Sequence, residues 1–448
     1  MTRIRGLFLV SSSLAAVVGT LVACSSSDEP RTAFGGDDTA DAGTPRPDAS
    51  LPPTSDAQAD AKPDVTEPPI VRPPFESADV PVTCASEPCA VQLVAGDQHF
   101  CARLSDGTVR CWGDNSGGQL GTTATTVIAP QTVLNVATAK QISAAEYATC
   151  VVLADNTAQC WGRNRQGQLG LRETPGLSDY TNHTAGPVVT TDLFERIDVG
   201  SRTVCGVTTT GTLDCWGYND QQQTTRSDAG TVAGPARADM KTFNVVRTAS
   251  TQTSVLGILD DGHLVSWGKV SGRISSITPN PVPALIDNIE KVTSIATGTA
   301  HACAIADGEL YCWGAGSKGV LGTGLPNDEK LPALATIENT PKLELYPQQV
   351  AASTNATCAR ITDGTIQCAG DDSYGTQGTG EKAVTSTAKL TKVAAYTGDA
   401  VQVAVSLYTV CALDKNGTIQ CWGGNIYGEL GQGVKDYDRH PTAVTVTF

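Results

Sequence analysis

From residue 90 onward, apolar and polar residues alternate over short stretches separated by turns rich in Gly and Asp. A period of two predicts β-strands, and no long stretch carries the 3.6-residue period of a helix. The clearest unit is His99–Gly121, HFCARLSDGTVRCWGDNSGGQLG. An alternating segment, a polar turn and a second alternating segment predict a hairpin, and copies return at intervals of about fifty residues. Aligned on CWG, six copies place Trp112, Trp161, Trp216, Trp267, Trp313 and Trp422 in one column, and the remaining copy has Ala369 there. Those six are all the Trp residues of the chain. Gly113, Gly162, Gly217, Gly268, Gly314, Gly370 and Gly423 fill the next column.

If Cys101 faces Cys111, the hairpin loop is Ser105, Asp106 and Gly107, with Gly at the left-handed position. Between Cys303 and Cys312 one residue is missing, and the loop shrinks to Asp307 and Gly308, a two-residue turn. Five residues before the first Cys column stand Gly96, Ala145, Gly200, Thr251, Gly298, Ser353 and Ser406, each after a mostly apolar run. Small residues there suit an inner strand where several sheets crowd towards one axis. After GQLG-type turns, segments led by Pro130, Pro187, Pro235, Pro283, Pro332 and Pro441 predict a further strand at an outer edge. Four short strands per unit cannot bury their faces alone, so the units must stack, and a closed ring leaves few exposed edges. The expectation is an all-β, seven-bladed β-propeller over residues 81–448. His440–Phe448 is a Pro-led strand with no repeat after it. It is expected to join blade one, so that the two termini lock the ring.

The pattern GxxH, hairpin, WG and GQLG occurs in Gly96–His99 with Trp112, Gly113 and Gly118–Gly121, and in part in Gly298–His301 with Trp313. It resembles the repeat of the regulator of chromosome condensation family over roughly residues 90 to 448. Copies one, two, five and seven are strong; three, four and six are degraded. The resemblance implies the propeller and leaves function open, since such families include a eukaryotic nucleotide exchange factor and secreted bacterial inhibitors. No residue here carries over to exchange activity.

The segment before the repeats changes the picture. Residues 1–23 carry Arg3 and Arg5 and then an apolar run interrupted by Ser and Gly, the pattern of an export signal. Leu21, Val22, Ala23 and Cys24 resemble the lipobox of bacterial lipoproteins, which makes Cys24 the expected acylation site and a lipid anchor the expected membrane contact. Ser25 after it resembles outer-membrane sorting. Residues 24–80 read as a Pro/Asp/Ala-rich disordered tether, with ten of the 24 Pro and twelve acidic against four basic residues. As a flexible coil it spans on the order of 40 Å. Setting aside the signal at +2 and the tether at −8, the remainder carries −9 of the total −15. A mildly acidic propeller offers no electrostatic footprint for nucleic acid.

Fifteen cysteines less Cys24 leave fourteen, an even number that suits an exported chain in an oxidising compartment. Pairing within repeats gives Cys84 with Cys89, Cys101 with Cys111, Cys150 with Cys160 and Cys205 with Cys215. It also gives Cys303 with Cys312, Cys358 with Cys368 and Cys411 with Cys421. Copy four has Leu256 and Ser266 in the two Cys columns, so both partners are absent together. The rival reading, zinc, would want CxxC spacings and more imidazoles than five His supply.

No catalytic residue, metal site or cofactor is expected, because GxSxG, P-loop and HExxH patterns are absent. His99 and His301 hold equivalent places and are expected to satisfy backbone groups within a blade. Asp106, Asp261, Asp307 and Asp363 recur in hairpin turns and are explained by them. Asp371 and Asp372 are expected to form a solvated loop, with a rim carboxylate pair as the other reading. The loops after WG carry the candidate binding residues Arg163, Arg165, Tyr218, Lys269, Arg273, Tyr374 and Tyr427, since Tyr and Arg anchor interfaces. The expected function is a monomeric, non-catalytic outer-membrane or cell-envelope lipoprotein. Its propeller would recognise another protein or a surface glycan. A secreted-type inhibitor of a hydrolase and a propeller-based hydrolase or lyase are the alternatives.

Overall fold

The structure, a computed structural model, describes residues 80–124, 129–171, 181–269, 272–273, 278–338, 345–380 and 385–448. Cys24, the expected signal and the tether up to residue 79 lie outside the described residues. Seven four-stranded antiparallel sheets follow one another along the chain, each with its strands in sequence order. In blade one these are Ala90–Ala95, His99–Leu104, Val109–Gly113 and Gln131–Thr132. The first strands of neighbouring blades pack against one another round the ring and line a central channel. The fourth strands form the outer edge.

The core lies between blades. Seven apolar clusters each combine side chains of two neighbouring blades, as where Leu104 and Trp112 of blade one meet Leu413 and Trp422's neighbour Cys421 of blade seven. Six buried indoles dominate these seams. The Trp161 indole N–H donates to the Gln119 carbonyl of the preceding blade at 2.8 Å. Trp216, Trp267 and Trp422 reach Gln168, Gln223 and Thr376 in the same way, and Trp112 closes the circle onto Glu429 at 2.8 Å. The last Gly of the GQLG turn makes room: a Cβ on Gly121 would stand 3.0 Å from the Trp161 Nε1. Blade six has Ala369 in the Trp column, and there Leu390 fills the space above Gly322.

The Gly of CWG is demanded by the backbone. All seven sit at φ between +90° and +119°, and a Cβ on Gly113 would stand 2.5 Å from the Gln98 carbonyl oxygen. The turns follow the sequence expectation, with Gly107 at φ +81° and with Asp307 and Gly308 at +49° and +74° between the paired Ala306 and Glu309. Seven disulfides join the pairs named above. Cys101 and Cys111 are directly opposed, and Leu256 and Ser266 oppose each other in the same register in blade four.

A second staple runs round the channel. Gln92 uses its amide as a backbone mimic, with Nε2 donating to the Ile142 carbonyl at 3.0 Å and Oε1 accepting from the Ile142 N–H at 3.1 Å. Gln141 does the same to Ile197, Gln349 to Val403, and the Gln402 Oε1 accepts from the Leu93 N–H.

Two expectations are corrected. The strand His440–Val446 pairs with Ile419–Gly423 inside blade seven, not with blade one. Each blade is continuous in sequence, because Pro130 and the short strand Gln131–Thr132 already complete blade one. The segment before blade one and the start of its first strand add to the closure, where the Thr83 and Ala90 N–H groups donate to the Lys415 and Gly417 carbonyls of a blade-seven hairpin. The second correction concerns proline. Pro235, Pro283 and Pro332 lie inside the fourth strands and Pro187 ends one, rather than leading them. An outermost strand leaves one side unpaired, so a missing N–H there costs no ladder bond.

Candidate functional site

Strand directions put two sets of loops on one face: the turns between first and second strands, and the loops after the third. The turns carry Asp97, Glu146, Ser201, Gln252, Thr299, Thr354 and Leu407 around the channel mouth, with Tyr147, Arg202 and Tyr408 one residue further on. Inter-blade backbone bonds brace this ring, as from the Asp97 N–H to the Glu146 carbonyl at 3.0 Å and from the Leu407 N–H to the Asp97 carbonyl at 2.9 Å.

On this frame Tyr and Arg side chains of blades six, seven, two and three form an arc on either side of blade one. Tyr374 packs on Tyr408 with ring centroids 4.9 Å apart. Tyr427 lies in the same half-buried neighbourhood, its phenol pushed up by burial and by Asp114 and other acidic neighbours. The Arg163 guanidinium sits 3.8 Å over the Tyr147 ring, and Arg202 sits 5.6 Å over Tyr218. Between them, the Arg202 Nε stands 3.9 Å from the Glu146 carboxylate, and the Gln252 amide donates to Glu146 at 3.3 Å. Burial pushes Glu146 up to about 7, with Asp97 adding to the rise, and pushes Asp97 itself up to about 6. Two carboxyls of neighbouring blades thus stand at the channel mouth, ready to take up a proton or a cationic group.

Of the sequence candidates, the structure gathers Arg163, Tyr218, Tyr374 and Tyr427 into this arc. Arg165 is exposed in the same loop as Arg163 without joining it. Lys269 is exposed on blade four, and Arg273 is half-buried and faces Asp287, so neither belongs to the arc. Tyr147, Arg202, Tyr408, Asp97 and Glu146 escaped sequence reading. Comparing the positions just after the small-residue column would have found them, since that column varies while the turn around it repeats.

The His expectation is corrected here. His99 and His301 bond across blades, Nε2 to the Thr149 and Thr357 hydroxyls at 2.9 and 3.0 Å, and burial pulls both down to about 4, so they stay neutral. Gly96 and Gly298 accommodate these rings, for a Cβ on either would stand 2.2 to 2.4 Å from the imidazole Cε1. Asp371 and Asp372 form neither a solvated loop nor a free pair. Both are buried, Asp371 against Lys318 of blade five and Asp372 against Arg439 of blade seven. The Asp372 Oδ1 accepts the Gln377 N–H at 2.8 Å, the task that Asn115, Asn164, Asn219 and Asn425 perform in other blades. Among the described residues no group of three or more His, Cys, Asp and Glu is placed to hold a metal ion.

Fold and site together define a class: a seven-bladed, disulfide-stapled β-propeller with a Tyr- and Arg-bearing face. Residues 90–119, 139–168, 194–223, 400–429 and 307–362 match the Regulator of chromosome condensation (RCC1) repeat. The chain is 27% identical over 255 residues to E3 ubiquitin-protein ligase HERC2 of Homo sapiens, which covers 55% of this chain and 5% of that protein. It is 26% identical over 226 residues to the Ultraviolet-B receptor UVR8 of Arabidopsis thaliana, covering 49% of this chain and 50% of the receptor. It thus spans half or less of these relatives' length. Among solved structures, yeast RCC1 (Prp20) bound to Kap60 superposes with a TM-score of 0.66 at 14% identity, over 83% of this chain and 88% of that one. Human WBSCR16 gives 0.62 at 19% identity, over 72% and 86%. These likenesses establish the fold.

Proposed function

We propose that this propeller is a non-catalytic recognition module that binds another protein through the arc from Tyr374 to Tyr218. The carrying observation is that arc: four blades bring Tyr147, Tyr374, Tyr408, Tyr427, Arg163 and Arg202 to one face, half-buried against each other or against acidic neighbours. Rings held by neighbours lose little freedom on binding, which is why Tyr and Arg anchor interfaces. Prp20, a propeller of the same fold, was solved bound to Kap60, which supports a protein as partner. The lipobox-like Leu21–Cys24 and the hairpin disulfides support the rest of the proposal, an exported chain anchored by acylated Cys24 in the cell envelope, at the outer membrane. A surface glycan is the other ligand that such a face fits, and a hydrolase would be the target if the chain acts as a secreted-type inhibitor.

The test is affinity capture from envelope and medium fractions with the oxidised full chain, beside the variant Tyr147→Ala/Tyr374→Ala/Tyr427→Ala. A stoichiometric partner should appear with the wild type and weaken by about thirtyfold or more per anchor lost, at about 2 kcal/mol each. A partner retained equally by the variant would sink the assignment of this face. A second reading, a glycan hydrolase or lyase, draws on the Asp97–Glu146 pair. Turnover of envelope glycans that disappears in Glu146→Gln would favour it.

A further inference from the structure

The arc of Tyr and Arg is broken at blade one, and what stands in the break is acidic. Asp97 and Asp114 of blade one are half-buried there. Burial raises the Tyr147 phenol, and Asp97 and Asp114 add to the rise; Asp114 also adds to the rise that burial gives Tyr427. The Asp114 N–H donates to the Gln98 carbonyl at 2.8 Å, which holds the loop after CWG against the turn that carries Asp97. Beside them lies an exception to the repeat. Where Gln119, Gln168 and Gln223 stand in blades one to three, blade seven has Glu429, wholly buried, with Oε1 unpartnered among the described residues. In blade one the Gln119 Nε2 donates to the Asp114 Oδ2 at 2.8 Å. Blade seven has Gly424 in the place of Asp114, and a Cβ on it would stand 2.9 Å from the Tyr408 Cβ and 3.5 Å from the Tyr374 Cβ. The usual polar neighbour thus gives way to aromatic side chains, and the amide that would supply N–H groups gives way to a carboxylate that supplies none. A buried acceptor left without a donor is a cost that the fold does not explain.

We infer that this gap receives a lysine side chain of the partner protein, its ammonium held by the Asp97 and Asp114 carboxylates beside the Tyr147 and Tyr427 rings, with the Glu429 carboxylate behind it. The inference rests on the recognition face proposed above and names the chemistry of its anchor. Among the described residues no Lys or Arg forms an ion pair with Asp97, Asp114 or Glu429. The cations of this side are already engaged, Arg163 on the Tyr147 ring and Arg202 against Glu146. Both bonds that Asp114 accepts, from Ser116 and Gln119, use Oδ2, so Oδ1 is left for a new donor. The Asp97 carboxylate accepts no hydrogen bond among the described residues, and burial with no cation to offset it pushes Asp97 up to about 6 and Glu429 up to about 7. A cation entering here would relieve that cost. An ammonium on a slim methylene stem suits a gap between rings, and its donors can turn towards carboxylates that share no plane, whereas a guanidinium needs a flat, paired acceptor.

The test uses the oxidised full chain with ring-labelled tyrosine, titrated under nuclear magnetic resonance with end-blocked glycyl-lysyl-glycine. Its norleucyl counterpart, which has the stem without the charge, and its arginyl counterpart are the references. The lysyl peptide should shift the Tyr147 and Tyr427 rings saturably, the norleucyl peptide should not, and the arginyl peptide should bind more weakly. In Asp97→Asn/Asp114→Asn the affinity for the lysyl peptide should fall at least about tenfold. Glu429→Gln, which installs the residue used in blades one to three, should also weaken it while the fold is kept. No saturable shift in the wild type, equal binding by both variants, or arginyl binding as tight as lysyl would overturn the inference. If the lysyl peptide fails while affinity capture still yields a partner lost with the tyrosines, this inference falls and the recognition face stands. If the peptide binds and capture yields no partner, the recognition reading falls instead.

Discussion

Glu429 takes the place that Gln119, Gln168 and Gln223 hold in other blades, and its Oε2 accepts the Tyr427 N–H at 2.7 Å as their Oε1 atoms accept from the residue two before. The Gln119 Nε2 donates onward to Asp114, whereas the Glu429 Oε1 is buried without a hydrogen-bond partner among the described residues. Burial therefore pushes Glu429 up to about 7. A carboxyl whose folded pKa lies above its unfolded value near 4.5 holds its proton more tightly in the fold. Stability from this group is full below pH 4.5 and is lost as pH rises through 7, by roughly 1 to 3 kcal/mol. Glu146 and Asp97 act in the same direction. Glu429→Gln should raise the denaturation midpoint at pH 8 and leave it nearly unchanged at pH 4.5, a contrast that chemical denaturation at the two pH values checks. At this scale the sequence made the Cys pairs and the Gly after Trp legible, because their partners lie within ten residues or in their own backbone. The Gln amides, the His–Thr bonds and the indole donors stayed hidden, because each partner stands in a neighbouring blade, about fifty residues away or, at the closure, at the other end of the array.

Within a blade, the hairpin is the unit that sequence described best. Alternation set the inward faces, turn residues set the loop length, and the two together placed Cys101 opposite Cys111. Blade four keeps that register without the bond, with Leu256 opposite Ser266. Leu256→Cys/Ser266→Cys should therefore form a disulfide on oxidation without moving the backbone. The oxidised variant should be more stable than its reduced form by about 2 to 3 kcal/mol, the loop-closure value for a short hairpin. Thiol titration in denaturant reads formation, and free thiols after oxidation would show that the register is not held in solution. The fourth strand was read less well. Proline marked an edge but not a strand start, since an outer strand tolerates it wherever its N–H would face solvent.

At the scale of the whole molecule, closure turned on contacts between the two ends of the repeat array. The segment before blade one lies on the blade-seven hairpin, where Gly417 has φ +84° and a Cβ would stand 2.3 Å from the Cys89 Sγ. Gly417→Ala should destabilise the ring by about 1 to 3 kcal/mol. It should also speed hydrogen exchange at the Thr83 and Ala90 amides more than at amides of blade four; uniform change across the chain would place the closure elsewhere. The sequence by itself determined the class of fold, the number of blades, the hairpin registers and the disulfide partners, all consequences of local period and turn chemistry. Only the tertiary structure decided which strand completes which blade, how the seams are stapled and which loop residues share a face. Those outcomes depend on side chains brought together from different repeats, and no local pattern carries the rotation of one blade against the next.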